Sequence, residues 1–85
     1  MRMVLVCDVK DVSAFMGHRA ERQANIGNFA DDICEYALDG ANKIAVSFNV
    51  TDRYKMEEIM SSESTKAEMV EHGVLPETLQ MFFER

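Results

Sequence analysis

The sequence contains no tryptophan, one proline and only four glycines among its 85 residues. The glycines are isolated from one another, so none forms the glycine-rich turn that cradles a phosphate group. No apolar run approaches the ~20 residues needed to cross a bilayer. The first apolar run is broken at Asp8, too early for a signal peptide. We therefore expect a cytoplasmic protein with no membrane partner.

Basic residues are also scarce. Nine lysines and arginines face 15 aspartates and glutamates, which gives a formal net charge of −6, and the basic residues are scattered along the chain. Nucleic-acid binding needs clustered positive charge, so we expect no nucleic-acid partner. The composition, 47% hydrophobic and 28% charged, is typical of a globular protein.

The length of 85 residues predicts one domain covering residues 1–85. A chain of this size buries only about 60% of its unfolded surface, so self-association is a reasonable expectation. The two cysteines, Cys7 and Cys34, lack CxxC spacing and are interpreted as small buried hydrophobes. The two histidines, His18 and His72, lack HxxxH or HxH partners. We accordingly predict no metal site and no cofactor.

The clearest structural signal is a β-hairpin over Cys34–Val50. Its second arm alternates strictly, with Ile44, Val46, Phe48 and Val50 forming one apolar row. The turn former Asp39-Gly40-Ala41-Asn42 separates the arms, and pairing Leu38 with Lys43 places Cys34 opposite Ser47. Before the hairpin, the pattern predicts a first strand over Met3–Val9 buried on both faces, a weak helix after the cap Asp11, and a loop over Ile26–Asp32. After the hairpin, it predicts two helical segments that follow Thr51-Asp52 and are interrupted at Ser61–Ser64. A last strand is predicted over Thr78–Glu84.

The helical segments after Asp52 carry a predicted inner stripe. Ser64 is expected to cap the second segment, and Gly73 suits the left-handed residue that ends it. The residues of that stripe are Met56, Ile59, Met60, Ala67 and Val70.

The predicted order β-α-β-β-α-β is that of the ferredoxin-like α+β fold, a four-stranded antiparallel sheet with two helices on one face. The row Ile44, Val46, Phe48 would lie under the helices. The opposite face would mix apolar and polar side chains, so we expect the same face of a second copy to cover it and form a dimeric α/β barrel. Such a barrel would enclose a part-polar cavity for a small organic ligand, lined by Tyr36, Ser47, Asn49 and Gln80.

The segment Ile44–Phe83 carries an apolar strand, the Val50-Thr51-Asp52 cap, the Ser62-Glu63 break, the Gly73-Val74 stop and an aromatic-rich last strand. With Asp8-Val9-Lys10-Asp11 at the first helix start, this pattern resembles short members of the dimeric α+β-barrel proteins related to the antibiotic biosynthesis monooxygenase superfamily. The resemblance implies a homodimer and, in some relatives, cofactor-free oxygenation, haem degradation or isomerisation. The absence of tryptophan departs from the oxygenase and haem-degrading pattern.

Two residues are candidates for acid–base catalysis. His18 follows the first helix and could titrate near neutral pH at a barrel mouth, although a solvated histidine is the alternative. Asp8 is a carboxylate in an apolar strand and must lie in a polar pocket, be paired or be at the exposed strand end. His72 precedes Gly73 at a helix C-terminus, where a capping interaction is expected.

Two functions remain open from the sequence. The first is a small-molecule protein, monooxygenase-like by resemblance, with the barrel cavity as its site. The alternative is a non-catalytic interaction or regulatory module whose acidic helical surface meets a basic partner. That surface would consist of Glu57, Glu58, Glu63, Glu68 and Glu71.

Overall fold

A computed structural model describes all 85 residues and confirms the ferredoxin-like arrangement. One antiparallel sheet contains four strands in the spatial order β2-β3-β1-β4. The strands are β1 (Arg2–Asp8), β2 (Ala30–Ala37), β3 (Lys43–Val50) and β4 (Gln80–Phe83). Each connection between the strands contains two short helices: α1 (Val12–Gly17) and α2 (Arg19–Ile26), then α3 (Arg53–Met60) and α4 (Glu63–Glu71).

The hairpin has the predicted register. Cys34 lies opposite Ser47, Tyr36 opposite Ala45 and Ala37 opposite Ile44. Gly40 in the turn has a φ of 76°, a conformation that glycine adopts without steric cost. The alternation along β3 therefore places one row on each face of the sheet.

All four helices cover the same face of the sheet, which we call the helix side. Met3 and Phe48 from the strands and Phe15 and Phe29 from the connections are almost fully buried there. Phe29 and Phe48 meet edge to face, with ring centroids 5.8 Å apart. The other face, the open face, has no helix over it, so β1 is buried on one face rather than on both as predicted.

The first helical connection differs most from the prediction. The polar segment after His18 forms α2, and β2 begins at Ala30, within the predicted loop Ile26–Asp32. Asp11 caps α1 as expected, accepting hydrogen bonds from the amides of Ser13 and Ala14. The hydrophobic pattern did not predict α2, because a charged residue, Arg22, occupies an inward position of this helix.

The second connection is interrupted at Ser61-Ser62 as predicted, and Asp52 caps α3. The cap of α4 is Ser62 rather than Ser64, since the Ser62 hydroxyl accepts from the Thr65 amide at 3.2 Å. The inner face of α4 was predicted wrongly. Ala67 and Val70 point outward, and the inward face consists of Thr65, Glu68, Met69 and, at its C-terminal end, His72.

The chain end also differs slightly from the prediction. Gly73 has the expected left-handed φ, 81°. A single turn over Pro76–Thr78 precedes β4, which begins at Gln80 rather than Thr78. None of the helices combines the length and apolarity that crossing a bilayer requires.

Candidate ligand-binding site

A cavity of about 60 Å³ lies between the helices and the helix side of the sheet. Ten of its 15 lining residues are hydrophobic, so most of the wall is apolar. We call this space the helix-side cavity. Its apolar residues are Leu5, Cys7, Phe15, Ile26, Ile44, Val46, Met60, Met69, Val74 and Leu79.

The polar residues of the helix-side cavity come from α2 and α4. Thr65, Glu68 and His72 share one face of α4 because they are spaced three and four residues apart. Asn25 on α2 ties the two helices together by donating to Thr65 Oγ1 at 3.2 Å and to Glu68 Oε2 at 3.1 Å. Arg22 completes the set one turn before Asn25.

Arg22 forms a buried ion pair with Glu35 of β2. Its Nε and Nη2 donate to the two carboxylate oxygens at 2.9 and 2.5 Å, a bidentate geometry. Their side chains are 10% and 0% exposed. Nη2 also donates to the Phe15 carbonyl at 3.0 Å, and the guanidinium lies 3.5 Å from the centroid of the Phe15 ring. The charge is thus both paired and stacked, as burial requires.

His72 contains the only buried side-chain nitrogen or oxygen in the structure that lacks a hydrogen-bond partner. The residue is 3% exposed, and the unpartnered atom is Nε2. Its nearest carboxylate oxygens are those of Glu21, at 3.5 Å, and Glu68, at 3.9 Å. The other ring nitrogen, Nδ1, lies 3.0 Å from Arg22 Nη1. The expected role as a helix-end residue is observed in the backbone, but the ring reaches the cavity.

His18 stacks on His72, although 54 positions separate them in the sequence. The ring centroids are 4.4 Å apart and the planes differ by 13°. His18 Nδ1 lies 3.5 Å from Glu21 Oε2, and its side chain is 30% exposed. The two histidines and Glu21 therefore form a cluster that extends from His72 in the cavity wall to the exposed Glu21. Their ligand atoms lie within 4.8 Å of one another, which is also the kind of cluster that can hold a metal ion.

The residues predicted to bind a ligand lie on the open face, away from the helix-side cavity. Ser47 Oγ donates to the Tyr36 hydroxyl and accepts from Arg2 Nη2, each at 3.4 Å. Asn49 donates to Asp31 at 3.0 Å, and Gln80 is exposed opposite Val6. The structure places Tyr36, Ser47, Asn49 and Gln80 on one face, and their role as ligand contacts stays a prediction.

Asp8 also lies on the open face, at the end of β1. Its Oδ1 is 2.9 Å from Lys43 Nζ, and the two side chains are 40% and 45% exposed. This is the strand-end position with a paired charge, and a catalytic role for Asp8 stays a prediction.

The acidic helical surface is not a single patch. Glu68 faces the cavity, with its side chain 24% exposed. Glu57 pairs with Arg53 at 3.4 Å and Glu63 with Lys66 at 3.7 Å. These contacts reduce the free negative charge that a basic partner would meet.

Cys7 lies in the wall of the cavity and is 3% exposed. Burial raises the pKa of the Cys7 thiol, and the neighbouring Asp8 carboxylate raises it further. A raised pKa keeps the thiol protonated and unreactive. Cys7 is therefore part of the apolar wall rather than a nucleophile.

No family model matches this chain, and no curated protein matches its sequence. Solved structures do match. SnoaB, a cofactor-independent oxygenase from Streptomyces nogalater, aligns with a TM-score of 0.69 and 13% identity over 99% of this chain and 91% of its own. A conserved protein from Methanosarcina mazei Go1 aligns with a TM-score of 0.67 and 16% identity, over 99% and 91%.

A third solved structure, described as an antibiotic biosynthesis monooxygenase, aligns with a TM-score of 0.58 and 8% identity over 100% of this chain and 99% of its own. The chain therefore has the fold of the antibiotic biosynthesis monooxygenase-like proteins. At these identities the likeness concerns the fold alone, and the chemistry of the site depends on this chain's own residues.

Proposed function

We propose that this protein binds a small, mostly apolar organic molecule in the helix-side cavity, with His72 Nε2 as the polar anchor. The observation that carries the proposal is that His72, a residue of the cavity wall, has a buried Nε2 without a hydrogen-bond partner. A buried polar group without a partner costs about 1–3 kcal/mol, which a ligand that pairs with it would recover. The surrounding apolar wall suits the rest of such a molecule.

The size of the cavity limits the ligand. Its volume of about 60 Å³ is small beside the roughly 300–1,000 Å³ of typical small-molecule pockets. A ligand of more than a few non-hydrogen atoms requires side chains to move. Met60 and Met69 line the cavity, and their side chains are unbranched and flexible. We therefore expect these two side chains to move when a larger ligand binds.

Two features support a small organic molecule as the occupant. SnoaB, which shares the fold, is described as a cofactor-independent oxygenase, a protein that acts on its substrate without a resident prosthetic group. Within this chain, most of the residues that line the cavity are hydrophobic, which suits the hydrocarbon part of such a molecule.

We also propose that the protein is a homodimer that joins two open faces. Tyr36 and Phe82 on that face are each 53% exposed, and Val4 and Val6 lie beside them half-buried. An apolar row on an uncovered sheet face is stabilised by a second copy, and a two-fold interface uses the same row twice.

Native mass spectrometry of gently purified protein, followed by a fragment screen by ligand-observed NMR, tests the site. We expect His72→Leu to weaken the binding of a fragment at least tenfold and Asn49→Ala, on the open face, to leave it unchanged. The reverse pattern would place the ligand between two sheets, as the sequence first indicated. Binding that neither variant alters would refute both sites.

A further inference from the structure

Arg22 contacts both the buried carboxylate of Glu35 and the ring of His72. Four of its five N–H groups have acceptors: two donate to Glu35, one to the Phe15 carbonyl and one points to His72 Nδ1. The side chain of Glu35 is fully buried and holds the guanidinium by two hydrogen bonds. The guanidinium therefore has little freedom to turn away from the histidine ring.

A guanidinium donates hydrogen bonds and never accepts them. At 3.0 Å from Arg22 Nη1, His72 Nδ1 must be the acceptor, so the proton of the neutral ring is on Nε2. We propose that Arg22, fixed by Glu35, is a positioning residue that holds His72 as the Nε2–H tautomer and so makes the helix-side cavity selective for an uncharged carbonyl oxygen. This inference rests on the proposed function and names the chemistry of its ligand.

The two carboxylates near His72 Nε2 determine which ligand groups can accept its proton. The Glu21 carboxylate lies 3.5 Å from Nε2 and the Glu68 carboxylate 3.9 Å from it. An anionic acceptor, such as a carboxylate or a phosphate, would be repelled by both. A ketone or amide oxygen accepts the Nε2 proton without adding charge. The apolar wall then contacts the hydrocarbon part of the same molecule.

The same contact argues against a metal ion at His18, Glu21 and His72. A metal would need the lone pair of His72 Nε2, which moves the ring proton to Nδ1 and sets two donors against each other 3.0 Å apart. Histidines that bind metals donate their other N–H to a carboxylate or a carbonyl, and Arg22 offers neither. The cluster is thus a proton-donating site rather than a metal site.

The tautomer is measurable in the unaltered protein. Long-range ¹⁵N–¹H correlation NMR on ring-labelled histidine at neutral pH distinguishes the two neutral tautomers, and a His18→Gln variant identifies which signals belong to His72. We expect the proton of His72 on Nε2. A ring protonated on Nδ1 would overturn the inference, as would a shift of the His72 signals on titration with Zn²⁺.

The role of Arg22 is tested by the double variant Arg22→Gln/Glu35→Gln, which removes both charges together. A glutamine amide can donate or accept, so we expect His72 to become a mixture of tautomers. An unchanged Nε2–H ring in the folded double variant would show that Arg22 does not set the tautomer. If the double variant does not fold, the wild-type spectrum and the ligand series still decide the proposal.

Selectivity is tested with three ligands of one shape: cyclopentanone, cyclopentanecarboxylate and cyclopentylammonium. We expect the ketone to bind at least tenfold more tightly than the carboxylate, which Glu21 and Glu68 repel, and than the ammonium, which has no lone pair to accept the Nε2 proton. Chemical-shift titration measures all three. Tighter binding of an ion to a protein whose His72 is the Nε2–H form would overturn the selectivity but not the proposed function. If none of the three binds, and the fragment screen also finds no occupant, the proposed function fails while the tautomer result stands.

Discussion

The two faces of the sheet differ in how far their polar side chains are buried. On the helix side, Arg22 and Glu35 are buried and bound to each other by two hydrogen bonds, and one atom, His72 Nε2, has no partner. On the open face, polar pairs are partly exposed to solvent: the side chains of Asp8 and Lys43 are 40% and 45% exposed, although their charged atoms lie 2.9 Å apart. Tyr36 on this face is half exposed.

Each face therefore lacks something different. The helix side is a packed core in which one buried nitrogen, His72 Nε2, lacks a hydrogen-bond partner that a small molecule can supply. The open face is a whole surface whose side chains are only partly covered, which a second copy of the chain can cover. A ligand and a partner are therefore expected at different places, and substitutions on each face should affect different properties.

The largest expected effect is that of Phe48→Ala. Phe48 is fully buried on the helix side, and its truncation should lower the free energy of unfolding by about 3–5 kcal/mol. Urea denaturation measures this, with Phe82→Ala on the open face as the matched control. Because Phe82 is 53% exposed, its truncation in a dilute, monomeric sample should cost about 1 kcal/mol or less. Equal costs for the two variants would remove the contrast between the faces.

Association should respond to the open face alone. Phe82→Glu removes roughly 1 kcal/mol of apolar burial per copy, or about 2 kcal/mol per dimer, which corresponds to a dissociation constant raised on the order of 30-fold. Analytical ultracentrifugation across a concentration series measures it. The control is Val70→Glu, an equal change of charge at an exposed apolar residue of α4. A dimer weakened by Val70→Glu and not by Phe82→Glu would place the interface on the helices.

Much of the sheet could be predicted from the sequence, because strict alternation along Ile44–Val50 and the Asp39-Gly40 turn fix both register and faces. The helices were harder. The inward position of α2 holds Arg22, and that of α4 holds Thr65, Glu68 and His72, so periodicity favoured the more apolar but outward Ala67 and Val70. Polar side chains line the cavity at the places where the hydrophobic pattern fails.

The candidate site was only partly predictable for a related reason. His18 was identified from its chemistry, but its partner His72 lies 54 positions away, and a pair that stacks through the fold leaves no spacing signal. The available signal was the polar series Thr65, Glu68 and His72 at helical spacing. That series predicts a shared face but not whether the face points inward, which depends on packing against α2.

The two cysteines allow the two faces to be compared by the reactivity of their thiols, where a smaller effect is expected. Cys7 is buried on the helix side and its pKa is raised by burial, so its thiolate is scarce, whereas Cys34 is half-buried on the open face. We expect iodoacetamide to modify Cys34 first and Cys7 only on unfolding, as read by peptide mass spectrometry. Modification of Cys34 should be faster in the Phe82→Glu variant than in the wild type. Faster labelling of Cys7 than of Cys34 in the folded protein would contradict the assignment of the faces.

The smallest expected effect belongs to Asp8→Asn. The ion pair with Lys43 is short, but both side chains are more than a third exposed, so solvent screening leaves it worth less than about 1 kcal/mol. Urea denaturation at low and high salt measures the loss, which should disappear as salt is added. The hydrogen bond from the Asp8 amide to Thr78 Oγ1 remains in the variant, so the strand end stays fixed. If Asp8→Asn leaves ligand binding unchanged, the role of Asp8 is confined to the strand end. If binding is lost while the stability is unchanged, Asp8 belongs to a functional site and the ligand binds on the open face.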